Sequence, residues 1–208
     1  MIAGLAPGHG AIAAQAFTNP AGRDEGAARL AEGTSPQEIV RELASSDFDW
    51  LGLPFYRLRQ YGVVSLDEPT ALAGAPASYT GPWTLDWHGQ RHGRDVSVQG
   101  NTLYGPEVVD GAFDAYAASA ARCPLADRLL LALEAGAAQG GDRRCSRQQA
   151  ALSAFVIVAK PGDEAAPWMR LVVDHLAKGG ANPVALLRRE FDDWQTQHRA
   201  EAEGCTAR

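Results

Sequence analysis

The sequence predicts an α+β fold in which antiparallel sheets are layered with helices. Three observations carry that expectation. Helices come in pairs between groups of strands, an order that suits antiparallel sheets better than alternating βαβ units. The run Ala154–Val158 reads Ala-Phe-Val-Ile-Val and is apolar on both alternating faces, as an interior strand must be. Four helix starts carry a proline, at Pro36, Pro106, Pro124 and Pro183, where a missing N–H and a fixed φ suit the first turn.

Taken in order, Gly10–Thr18 reads as a small-residue strand. Ile12, Ala14 and Ala16 lie on one face, Gln15 and Phe17 on the other, and Pro20 ends it. A helix follows from about Asp24 to Glu32. A second has Ser35 as N-cap, Glu38 in a capping box, and Ile39, Val40 and Leu43 on its buried face. Asp47–Leu58 is irregular and aromatic. Strands are expected at Arg59–Leu66 and Ala71–Ala77, joined by an Asp67-Glu68-Pro69 turn. Ser78–Arg94 reads as a loop rich in Gly, Trp and His, and Val96–Gly100 as a short strand. Helices start at Pro106, with Val109, Ala112, Phe113 and Tyr116 on one face, and at Pro124, the latter fraying near Gly136. Gly140 and Gly141 reverse the chain, and Pro161-Gly162-Asp163 turns it again after the central strand. Met169–Leu176 reads as a half-exposed strand. Asn182 caps a last helix with Val184, Leu187, Phe191 and Trp194 in its buried stripe, and the tail from about Glu201 is polar.

The 208 residues suit one domain over 1–200, and 46% hydrophobic residues supply a sizeable core. A net charge of -6 argues against nucleic acid or an anionic membrane surface as the main partner. No apolar run reaches spanning length, and the N-terminus as given has no secretory signal. The chain as given thus reads as cytoplasmic, with a periplasmic or secreted location if a signal segment lies upstream. Cys123, Cys145 and Cys205 are too few and scattered for a disulfide scaffold. A Cys123–Cys145 bridge is one option that spacing does not decide. No CxxC, HExxH or Walker pattern appears, and no cofactor is implied.

Several motifs then line up in one order: Gln15–Pro20, Glu32–Glu38, Arg59–Val64, Tyr79–Gly81, Val98–Leu103, Leu125–Leu130 with Ala132–Gly136, and Gly140–Cys145 with Ser153–Phe155. Together they resemble a bacterial and archaeal family known as domain of unknown function 1028, which itself looks like the N-terminal-nucleophile (Ntn) hydrolases. The resemblance implies a four-layer αββα sandwich and an amide-bond hydrolase acting on a small-molecule or peptide-like substrate. It also implies an opening strand and hairpin that this sequence lacks, so the fold is expected to be N-terminally incomplete. Ntn hydrolases attack with the first residue of the mature chain, its own amine acting as base. Met1 and Ile2 offer neither hydroxyl nor thiol. A non-catalytic small-molecule or peptide binding protein on the same fold is the alternative, and either reading allows a homo-oligomer.

Candidate site residues each carry an ordinary alternative. Gln15, Thr18 and Asn19 sit at a strand end and could line a pocket, while Asn19 equally suits a turn before Pro20. Asn101 could donate its amide to an oxyanion, or simply end a strand. Arg59 and Gln60 could be site residues or a polar strand start. Asp142, Arg143 and Arg144 could hold a substrate carboxylate, or form a loop salt bridge. The arginines would lower the Cys145 pKa and favour a thiolate, against a buried structural cysteine. His88 and His92 would share a metal only on a helix, which Gly89 and Gly93 argue against. Trp83 and Trp87 could stack on a ligand or cover the core.

Overall fold

The structure is a computed structural model that describes residues 2–49, 52–66, 75–198 and 204–205. The chain forms two compact units. The first comprises Met1–Thr102 with Ala159–Ala166, the second Leu103–Val158 with Pro167–Arg208.

In the first unit, β1 (Ala3–Ala6), β2 (Gly10–Ala16), β3 (Arg59–Ser65) and β4 (Ala77–Thr80) form one antiparallel sheet in chain order. Alternation along β2 and β3 gives the sheet two unlike faces. Ile12, Ala14, Tyr61 and Val63 bury one face against α1 (Pro20–Ala31) and α2 (Pro36–Leu43), meeting Leu30, Ile39, Val40 and Leu43. Gly26 of α1 lies so close to Ile12 that a Cβ there would collide with it. The opposite face carries Gln15, Gln60 and Gly62. It meets a two-stranded sheet of β5 (Trp87–His92) and β6 (Ser97–Leu103), and Gly62 leaves the space that the Gln99 carboxamide fills.

In the second unit, α3 (Pro106–Ser119) packs on α4 (Leu125–Ala138), and β7 (Ala154–Val158) pairs antiparallel with β8 (Met169–Val173). With α5 (Pro183–Gln197) they enclose a core of Leu130, Val156, Met169, Leu187 and Phe191. Arg188 of α5 forks onto Glu134 of α4 at 2.7 and 2.9 Å.

The strongest local signals hold. Ser35 Oγ accepts from the Glu38 N–H at 3.3 Å, and Asn182 Oδ1 from the Val184 N–H at 2.9 Å. Several expectations need correction. Asn19 and Pro20 begin a helix rather than end a strand: Asn19 Oδ1 accepts from the Gly22 N–H at 3.1 Å, so α1 starts four residues before Asp24. Glu38 does not close a capping box, because its carboxylate goes to Arg41. Ser78–Arg94 is not a loop: it completes β4 and holds β5, which lacks apolar alternation because both its faces stay partly wet. Asn101 lies within β6, not at a turn. The α4 helix does not fray at Gly136. Glycine there lets the Val108 backbone of α3 approach, with a hypothetical Cβ only 3.3 Å from the Val108 carbonyl oxygen. The Asp67-Glu68-Pro69 turn and Ala71–Gly74 of the expected strand lie outside the described residues; Ala75 and Pro76 are not in a strand.

Candidate functional site

The layer between the two sheets of the first unit is polar, where facing sheets ordinarily bury apolar side chains. Its centre is Gln60, which has no exposed surface. The Gln60 Nε2 group donates to Thr80 Oγ1 at 2.8 Å and to the Gly100 carbonyl at 3.0 Å, with the Gly89 carbonyl at 3.4 Å. Its Oε1 accepts from Gln15 Nε2 at 2.6 Å and from Asn101 Nδ2 at 3.2 Å. A buried carboxamide must satisfy both ends, and this one does so by tying β2, β3, β4 and both strands of the hairpin together.

Gln15 and Asn101 flank Gln60 and are half-buried. Both Gln15 Nε2 protons are engaged, on Gln60 and on the Gln99 carbonyl at 3.4 Å, but its Oε1 has no partner among the described residues. Asn101 is the complement. Its Oδ1 accepts from Thr102 Oγ1 at 3.1 Å, one Nδ2 proton goes to Gln60, and the second has no partner among the described residues. The pair therefore presents one free acceptor and one free donor, the two groups an amide needs. The residues that follow, Ala16 and Thr102, take left-handed backbone angles (φ 67° and 56°). For a β-branched threonine that is a strained position, of the kind that clusters at binding and catalytic sites.

The layer continues outward. Thr80 Oγ1 donates to Gln90 Oε1 at 2.7 Å, and Ser78 Oγ lies 2.7 Å from His92 Nε2. Burial holds the His92 imidazole below its usual pKa. A neutral imidazole on a hydroxyl has the makings of a base, yet no carboxylate pairs with His92 among the described residues. His88 and His92 share β5, where four residues span about 13 Å, too far for one metal ion. Among the described residues no group of three His, Cys, Asp or Glu side chains is placed to hold a metal.

The other candidates lie elsewhere. Asn19 and Arg59 are on the helix-facing side of the sheet. Asn19 Nδ2 donates to the Tyr61 hydroxyl at 3.1 Å, and the Arg59 guanidinium pairs with buried Asp49 at 2.5 Å. Thr18 is exposed. Asp142, Arg143 and Arg144 belong to the second unit. There Asp142 fills the Arg144 fork, with Nε at 2.9 and 3.0 Å from its two oxygens. The Cys145 expectation is reversed: burial, then nearby Asp142, push its thiol pKa up, outweighing Arg144 and Lys178. Cys123 is bonded to Cys205, not to Cys145, which remains a buried free thiol. The residue that sequence reasoning undervalued is Gln60. Its one signal was its place after Arg59 at the start of an otherwise apolar strand.

Helices on one face of an antiparallel sheet and a second sheet on the other define a mixed α/β protein with a polar intersheet layer. The chain belongs to the family of unknown function DUF1028, whose model matches residues 1–184 and so runs through both units. It is similar in fold to the crystal structure of protein SPO2555 from Silicibacter pomeroyi, described by the same family model. The TM-score is 0.71 at 23% identity, covering 93% of this chain and 76% of that one. No curated protein matches the chain. No helix among the described residues is long and apolar enough to cross a membrane.

Proposed function

We propose that this is an Ntn-hydrolase-like protein that receives an amide-bearing small molecule or peptide-like ligand at the Gln15–Gln60–Asn101 layer. One observation carries the reading: beside a saturated, buried Gln60, Gln15 keeps an acceptor and Asn101 a donor that have no partner among the described residues. A ligand carbonyl would take the Asn101 proton, and a ligand N–H would take Gln15 Oε1. The αββα sandwich is part of the same proposal. The helix–sheet–sheet order of the first unit supports it. Amide hydrolysis follows where a Thr, Ser or Cys upstream of Met1 supplies the nucleophile; the Asn101 donor would then serve the oxyanion.

A non-catalytic binder is the second reading, favoured by the amides and hydroxyls that make up the centre of the layer. Both readings keep a small-molecule or peptide-like partner, and neither calls for nucleic acid, membrane or cofactor. A panel of N-acyl amino-acid anilides tests the reaction, with protein expressed from the longest upstream in-frame start. Steady release of the aniline that Asn101→Ala lowers at least about tenfold supports the hydrolase. Binding without release supports the binder.

A further inference from the structure

At the end of the first sheet an exposed aromatic shelf borders the Arg57–Leu58 backbone, which accepts the Phe17 N–H at 3.0 Å and the Trp83 N–H at 2.8 Å. Phe17, turned outward after Ala16, stacks on Phe55 with centroids 5.5 Å apart and is 50% exposed. Arg57 lies 5.0 Å over the Trp83 ring and 5.7 Å from the Tyr56 ring. Trp83 is 49% exposed, and its backbone N–H is tied to the Arg57 carbonyl at 2.8 Å. Two residues beyond Trp83, the Leu85 carbonyl accepts the Thr102 N–H at 3.2 Å, tying this segment to the strand that carries Asn101.

Arg57 is the unusual element. Its Nε donates to the Tyr56 hydroxyl at 3.3 Å, and no carboxylate pairs with it among the described residues. Other arginines of this unit meet carboxylates: Arg59 has Asp49, Arg29 has Glu25 and Glu42, Arg23 has Asp24, and Arg41 has Glu38. In a chain of net charge -6, a half-buried guanidinium over an aromatic ring, with neither Nη group partnered among the described residues, is a preformed fork for a carboxylate.

We infer that Arg57 and the Phe17–Phe55–Trp83 shelf bind the carboxylate and the apolar side chain of an amide ligand, that is, of an N-acyl amino acid or a peptide C-terminus. The inference rests on the amide-binding reading above and assigns its substrate class. It moves the carboxylate site from Arg144, whose fork Asp142 already fills, to Arg57. The apolar side chain would lie on the aromatic faces, the carboxylate on the Arg57 Nη edge, and the amide between Gln15 and Asn101.

The test is an NMR titration of the intact chain with N-acetyl-L-phenylalanine and with its neutral amide, N-acetyl-L-phenylalaninamide. The acid is expected to bind about tenfold more tightly and to shift the Trp83 indole N–H. Arg57→Gln should abolish that preference while leaving affinity for the amide unchanged. Arg57→Lys, keeping charge without the fork, should restore it only in part. Unchanged melting temperatures keep these variants interpretable. Glycyl-glycyl-L-phenylalanine separates the sources: equal affinity assigns a peptide C-terminus, weaker affinity an N-acyl amino acid. Equal binding of acid and amide, indifferent to Arg57→Gln, overturns the inference and leaves the amide reading standing. Acid binding that moves Trp83 but not the Gln15 and Asn101 side-chain amides sinks the amide reading instead. Self-association of the unliganded chain that Trp83→Ala abolishes gives the shelf to a second copy and overturns the inference.

Discussion

At the scale of single residues, Gln60 combines structural and functional demands. A buried carboxamide is tolerated only when every lone pair and proton is met, and removing it strands its partners. Gln60→Leu is therefore expected to destabilise the protein by about 3 kcal/mol, read as a lower urea midpoint at unchanged slope. Cys145 makes the opposite kind of prediction. Its thiol is buried and its pKa is pushed up by desolvation. Native protein should react slowly with a thiol reagent, and denatured unreduced protein should show one reactive thiol, since Cys123 and Cys205 are joined. Three thiols on denaturation alone would contradict the pairing.

At the scale of elements, the first turn of α4 carries a testable imbalance. Asp127 is buried, and desolvation raises its pKa against the opposing effects of the Gln195 hydrogen bond and Arg188. A carboxyl whose folded pKa lies above its unfolded value binds more protons when folded. Its contribution thus favours the fold below the ordinary carboxylate range and is lost as pH rises through the raised pKa. Asp127→Asn should then raise the melting temperature at pH 7 and change it little near pH 3. A variant that is stabilised equally at both would place the cause elsewhere. Where α4 packs on α3, Gly136→Val should destabilise by about 1–3 kcal/mol, because the α3 backbone occupies the space a side chain needs.

At the scale of the whole molecule, what the sequence made legible was local. Ser35, Asn182 and the helix-opening prolines declare themselves because cap chemistry involves only residues two or three positions away. Asn19 misled because the same side chain suits a turn and a cap. The β5 strand was invisible because Trp-His-Gly-Gln-Arg-His has no apolar face to show. The site was legible only in part. Gln15 and Asn101 were singled out from motifs, but the residue joining them acts through partners 20 to 45 positions away, which no local pattern encodes. Cysteine pairing across 82 residues is likewise a property of the fold, not of spacing. Reducing that bond should lower stability by about 2–4 kcal/mol, and Cys205→Ser should reproduce the loss in the absence of reductant. The central claim is that the intersheet layer is a receptor for an amide. The most direct measurement is a proton–nitrogen spectrum of the chain titrated with N-acetyl-L-phenylalaninamide, followed at the side-chain amides of Gln15, Gln60 and Asn101. Saturable shifts concentrated on those three groups, weakened by Asn101→Ala, are the expected result. Shifts that avoid them, or none up to saturation of the ligand in water, would contradict the claim.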